Sequence, residues 1–125
     1  MRLFLLLFCA LLAACSAPAE LVLSEADNGS FSDVSAGEKV VVSLPESPTT
    51  GYSWRFFAVP AEFFADVHEE YIAPNTTLLG AGGTKRYSFT VDCAGRATVT
   101  AFYYRPWEPL DMQKDLRVEF YFTAK

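Results

Sequence analysis

The chain has 125 residues, of which 51% are hydrophobic, 15% aromatic and 20% charged, with 10 Lys and Arg against 15 Asp and Glu for a net charge of −5. A chain of that length holds one domain; its apolar content rules out disorder, and three cysteines are too few for a disulfide scaffold. The acidic balance argues against a nucleic-acid binder, which needs a basic face to meet phosphates, and leaves no polybasic patch for anionic lipid.

Met1-Arg2 precedes the apolar run Leu3-Phe4-Leu5-Leu6-Leu7-Phe8-Cys9-Ala10-Leu11-Leu12. One positive charge followed by a short hydrophobic stretch is the layout of a secretory signal peptide. The run falls short of the ~20 residues that span a bilayer, so it does not read as a permanent membrane helix. It ends in Leu12-Ala13-Ala14-Cys15, followed by Ser16-Ala17-Pro18-Ala19. This stretch resembles the bacterial lipoprotein signal, in which a Leu and two small residues precede an acceptor cysteine. The resemblance implies cleavage before Cys15, a diacylglycerol on its sulfur and anchoring in the cell envelope. Ser16 in place of a retaining Asp further implies the outer membrane of a two-membrane bacterium. An ordinary Ala-x-Ala cleavage, releasing a soluble protein, is the alternative.

The chain then divides into a signal peptide (1–14), a lipidated cysteine with a short tether (15–19) and a folded domain (20–125). Cys9 leaves with the signal and Cys15 becomes a thioether. Cys93 is left without a partner and reads as a small buried hydrophobe, not a reactive thiol.

Past the tether, alternation with a period of two recurs. Weak strands are expected at Glu20–Ser24 and Ser30–Ser35. Val40, Val42 and Leu44 alternate with Val41 and Ser43; Tyr52, Trp54 and Phe56 with Ser53 and Arg55. Pro60 with Ala61-Glu62-Phe63-Phe64 suggests one helical turn, after which Phe64 to Ile72 reads as extended. Tyr87, Phe89 and Val91 alternate with Ser88 and Thr90; Ala97, Val99, Ala101 and Tyr103 with Thr98, Thr100 and Phe102. Leu116, Val118, Phe120 and Phe122 alternate with Arg117, Glu119 and Tyr121. In each strand one face can enter a core and the other meet water. Turn residues at Asn28-Gly29, Ala36-Gly37, Ser47-Pro48, Gly80 to Gly83, Ala94-Gly95 and Pro106 to Pro109 suit antiparallel connections. No stretch carries capped helical periodicity. The expected fold is all-β, an antiparallel sandwich of seven or eight strands.

The inventory for catalysis is thin. His68 is the sole histidine and stands beside Glu69 and Glu70 on an expected strand edge, a solvated surface position. One His and one free Cys do not supply a zinc ligand set, and no Gly-rich loop opens a helix to cradle phosphate. The composition points to binding without turnover, with no cofactor and no metal.

Three segments stand out as binding loops. In Ser47-Pro48-Thr49-Thr50-Gly51-Tyr52-Ser53-Trp54, Pro48 fixes φ, Gly51 permits a turn closed to other residues, and the β-branched threonines stiffen the tip. The result is a preorganised wedge whose following strand roots it in the core. Gly80-Ala81-Gly82-Gly83 packs three glycines into four positions, which suggests a place where another backbone approaches closely. In Tyr103-Tyr104-Arg105-Pro106-Trp107-Glu108-Pro109 a Trp is held between prolines at a strand end, and Trp and Arg are the residue types enriched at binding hot spots. Read alone, each has a plain alternative: an ordinary turn, a flexible connection, and a Trp folded back onto the sandwich.

Together, in this order, the segments resemble those of the chagasin family, inhibitors of papain-like cysteine peptidases. The matching positions are Pro48-Thr49-Thr50-Gly51-Tyr52 with Trp54, Gly80-Ala81-Gly82-Gly83, and Arg105-Pro106-Trp107. Ser47 departs from the family's usual Asn, which implies a less firmly capped turn. The resemblance implies an immunoglobulin-like sandwich with the loops at one end, no enzymatic activity, and a monomer that binds papain-like peptidases reversibly and tightly. It assigns Pro48, Thr49, Thr50, Gly51 and Tyr52 to the wedge over the catalytic residues and Gly80, Ala81, Gly82 and Gly83 to the non-primed side. Arg105, Pro106 and Trp107 fall to the primed side. The rival reading is a cell-envelope lipoprotein whose sandwich serves an adhesive or structural role.

Overall fold

The computed structural model describes residues 20–75 and 82–125. The signal segment, Cys15 with its tether, and residues 76–81, which include Gly80 and Ala81, lie outside the described residues. Eight strands follow in order: β1 (Glu20–Ser24), β2 (Phe31–Val34), β3 (Lys39–Glu46), β4 (Ser53–Val59), β5 (Phe64–Ile72), β6 (Gly83–Val91), β7 (Gly95–Tyr104) and β8 (Leu116–Ala124). A single 3₁₀ turn, Ala61–Phe63, follows Pro60 and leads into β5, as the residue pattern suggests.

The strands form two four-stranded sheets, ordered β1-β3-β6-β5 and β2-β8-β7-β4, stacked as the expected all-β, immunoglobulin-like sandwich. The long strands pair antiparallel. The two short N-terminal strands instead run parallel to their neighbours, β1 along β3 and β2 along β8. The reason lies at Asn28-Gly29, which is a corner between sheets and not a hairpin turn. Gly29 N–H donates to the Glu119 carbonyl at 2.7 Å, and Asn28 Oδ1 accepts from Glu119 N–H at 2.8 Å. The chain thereby leaves the first sheet partway along β3 and continues down the flank of β8.

The inward phases of both sheets meet in one core containing Val40, Val42, Leu44, Tyr87, Phe89 and Val91 from one side and Trp54, Val99, Ala101, Val118, Phe120 and Phe122 from the other. Aromatic pairs cross the gap: Phe56 stacks on Tyr87 at 4.7 Å, and Phe89 meets Phe122 edge-to-face at 5.5 Å. Phe63, almost wholly buried, plugs the end of the core between Phe64 and Phe122.

The alternation over-predicts exposure on the outer faces. Val41 and Phe102 are buried although they lie outside the common core. Phe102 packs edge-to-face on Phe57 at 5.8 Å, and Val41 sits between its register partners Val22 and Ser88 at the middle of a sheet. At the other limit, Leu116 is in the inward phase but half exposed, because the strand has only just begun there. His68 is exposed, and Cys93 is half-buried against the core with its Sγ toward the Glu62 carbonyl.

Strand direction sorts the connections into two poles. The β3–β4, β5–β6 and β7–β8 connections lie at one end. The β2–β3, β4–β5 and β6–β7 connections lie at the other, together with the start of β1 and the end of β8.

Because Phe120 sits fully enclosed at the centre of β8, Phe120→Ala should destabilise the domain by about 3–5 kcal/mol, the scale of an aromatic truncation in a core. Urea unfolding checks this, with a lower midpoint at unchanged slope expected.

Candidate functional site

The wedge begins where β3 ends. Pro48 sets its own φ, and Pro48–Thr50 form one 3₁₀ turn between extended Ser47 and left-handed Gly51 (φ 79°). Thr50 N–H and Thr50 Oγ1 donate to the Ser47 carbonyl at 3.2 and 2.8 Å, and Gly51 N–H donates to the Pro48 carbonyl at 3.0 Å. Ser47 contributes no side-chain cap. Its main-chain N–H instead donates to the Tyr103 phenol at 3.2 Å, so the turn is secured through the backbone. Pro48, Thr49 and Thr50 project exposed from the pole.

The base of the wedge is clasped by Trp54, which is buried in the core. Its indole N–H donates to the Pro45 carbonyl at 2.7 Å, and its main-chain N–H donates to the Glu46 carboxylate at 2.9 Å. Glu46 is only 5% exposed, and a buried carboxylate needs such a donor to offset its lost hydration. Tyr103 stacks on Trp54 at 4.7 Å and tilts against Tyr52 at 5.4 Å. Tyr52 therefore lies just ahead of β4, half-buried, as a bridge from the clasp to the third segment.

That third segment leans directly on the wedge. The Arg105 guanidinium lies 4.7 Å over the Tyr52 ring, its Nε–H donates to the Thr50 carbonyl at 3.4 Å, and it pairs with Glu108 at 3.7 Å. Trp107 is 70% exposed, yet the edge of its ring rests on Gly51. A Cβ at Gly51 would collide with Trp107 Cη2 and stand 3.1 Å from Cζ2. Gly51 thus serves two needs at once, the left-handed backbone and the seat of the indole.

The glycine segment is divided. Gly82 is exposed beside the wedge, where an added Cβ would come within 3.3 Å of the Glu46 carbonyl. Gly83 is the first residue of β6 and is buried. The close approach it permits is made by the Ile72 carbonyl and the Tyr71 ring of the same chain. Between Gly82-Gly83 and the wedge lies a depression of about 270 Å³ lined by Pro45, Glu46, Ser47 and Tyr103. The structure therefore gathers Pro48–Tyr52, Gly82-Gly83 and Arg105–Trp107 at one pole.

The sequence assigns no binding role to Glu46 or to Tyr103, although Tyr103 opens the third segment. Glu46 carried a signal: it continues the inward phase of Val40, Val42 and Leu44, and a carboxylate in a core phase requires a partner. Tyr103 carried none, since an inward aromatic reads as packing until its hydroxyl is seen at Ser47. Among the described residues no group of three or more metal-ligating side chains occurs.

Two stability measurements test this wiring. Gly51→Ala should cost markedly less in a Trp107→Ala background than in the native chain, with a coupling of about 0.5–3 kcal/mol in a double-mutant cycle by urea unfolding. Glu46→Ala leaves the Trp54 N–H unpaired and should cost about 1–3 kcal/mol, whereas Glu46→Gln, which keeps an acceptor oxygen, should recover most of that loss.

The family description "Chagasin family peptidase inhibitor I42" matches residues 33–123. Chagasin of Trypanosoma cruzi is 40% identical over 89 residues, covering 68% of this chain and 81% of that protein. Amoebiasin-1 of Entamoeba histolytica is 32% identical over 92 residues, covering 70% and 84%. The crystal structure of the cysteine protease inhibitor EhICP2 from Entamoeba histolytica superposes with a TM-score of 0.73 at 19% identity, covering 86% of this chain and 96% of that one. With its sandwich, its clustered loops and these relatives, the chain belongs to the chagasin family of peptidase inhibitors.

Proposed function

We propose that this protein is a reversible, tight-binding inhibitor of papain-like cysteine peptidases, blocking the active-site cleft with the loop pole. Pro48–Gly51 forms the central wedge over the catalytic pair. Gly80–Gly83 lies along the non-primed side, and Arg105–Trp107 grips the primed side, with Trp107 on an apolar or aromatic surface. The observation that carries this reading is Trp107, 70% exposed yet seated on Gly51, which joins a large exposed apolar group at the pole to the wedge.

The wedge is built to occupy a cleft without being cut. Cleavage needs an extended backbone whose scissile carbonyl turns into an oxyanion hole. Here the Ser47, Pro48 and Thr50 carbonyls already accept hydrogen bonds from Thr50, Gly51 and Arg105 of the same chain. A 3₁₀ turn also differs from the extended form in which a peptide adds to a strand edge. The wedge and Arg105–Trp107 are held against each other before contact, so an interface of standard size, roughly 800 Å² per partner, spends little of its free energy on ordering these two segments.

The N-terminal motif supports a second element of the reading: export, lipidation of Cys15 and attachment to the bacterial outer membrane. Four lipid-proximal residues, Ser16-Ala17-Pro18-Ala19, then connect the anchor to a monomeric domain.

Titration of active papain with the chain lacking its first 15 residues tests the inhibitor reading. Loss of activity in proportion to added protein, with the inhibitor recovered uncut by mass, is the expected result; full activity at large molar excess would overturn it. Trp107→Ala should weaken inhibition by about 2 kcal/mol or more, roughly 30-fold, while leaving the fold intact.

A further inference from the structure

We infer that the lipid surface and the peptidase are engaged at opposite poles of the domain, so that the membrane-held inhibitor directs its loops into the aqueous phase and captures peptidases arriving from solution. The inference rests on the lipid reading of Cys15 and adds to it a direction and a class of target.

The direction follows from strand polarity. Glu20, the first residue of β1, is level with Lys39, the first residue of β3. β3 then runs its full length to Glu46, the residue before Ser47 and the wedge. Eight residues at about 3.3 Å each separate the two levels by roughly 25 Å, and the wedge stands beyond that. The point where the tether enters the domain therefore lies at the pole opposite the loops.

Tether length excludes full inversion. Only Ser16, Ala17, Pro18 and Ala19 stand between Cys15 and Glu20, and five Cα steps reach about 18 Å at full extension. Turning the domain over to press Trp107 against headgroups would require the tether to run the length of β3, and it is too short. Unzipping β1 to lengthen it is opposed by five paired residues, by Leu23 in the core and by the Arg86–Glu20 ion pair at 4.0 Å. The membrane-side pole carries Glu38, Glu62 and Asp92 beside Lys39, Arg96 and Lys125, a mixed set and not a uniformly basic face for anionic lipid. A peptidase reached in this way is one free in the adjoining aqueous compartment, since the loops point away from the bilayer.

Both tryptophans provide the test, because Trp54 is the second residue of β4 and Trp107 follows β7, each at the loop pole. The full chain is expressed with a tagged palmitate, purified, and inserted into preformed phosphatidylcholine vesicles containing headgroup-nitroxide lipid. The expected results are unquenched tryptophan emission and papain inhibition on vesicles within about threefold of that in detergent. A flexible spacer inserted after Ala19 should change neither. Strong quenching, inhibition that returns only on adding detergent, or a gain of about tenfold from the spacer would each overturn the orientation. Absence of palmitate on the native chain, or its persistence in Cys15→Ser, would remove the lipid reading and the inference with it. The papain titration of the soluble chain would stand untouched in that case, so the failures are separable.

Discussion

Trp54 closes the base of the wedge with two hydrogen bonds back to the end of β3, from its indole to the Pro45 carbonyl and from its main chain to the Glu46 carboxylate. Everything displayed at the loop pole depends on this clasp. Trp54 belongs to one sheet and Glu46 to the other, so the bonds tie the sandwich shut where its strands would otherwise fray. Tyr103 extends the tie, stacking on Trp54 while its hydroxyl receives the Ser47 N–H. The buried carboxylate is satisfied by a donor that exists only when β4 leaves the turn at the correct place, and this couples the fold of the core to the shape of the tip.

From that foundation the wedge and the Arg-Pro-Trp segment stiffen each other. Arg105 contacts the ring of Tyr52 and the carbonyl of Thr50, and Trp107 rests on a glycine that has no Cβ to hold it off. Two loops that share contacts lose less freedom on binding than two that move independently, which is the physical basis for proposing tight association through a small surface. The Ser47, Pro48 and Thr50 carbonyls accept hydrogen bonds from the same chain, which holds the tip in one shape.

The remainder of the molecule serves as a frame. β5, a free edge of the first sheet, is interrupted by a bulge between Ala65 and His68, where Asp66 adopts φ 49°, and carries Glu69 and Glu70. Bulges and charges of this kind discourage pairing with a second chain along that edge. The alternate up-and-down course of the long strands sends every second connection to the same pole, so segments far apart in sequence share one surface.

Much of this was legible beforehand. Period-two alternation located β3, β4, β6, β7 and β8, since a side chain entering a sandwich from either sheet must do so at every other position, and turn residues marked the breaks; β1, β2 and β5 showed it weakly. The segments Pro48–Tyr52 and Arg105–Trp107 declared themselves by residue types whose backbone restrictions are local. Alternation could not tell that Val41 and Phe102 would be covered on the outer faces, because that depends on which side chains flank them in neighbouring strands. Nor could Asn28-Gly29 announce a corner between sheets, since a turn dipeptide fixes a bend and not the partner of the strand that follows. Glu46 under Trp54, Tyr103 against Ser47 and Trp107 upon Gly51 were decided by tertiary structure alone. Each joins residues separated by turns or whole strands, and local chemistry carries no information about a partner that only the stacking of two sheets brings within reach.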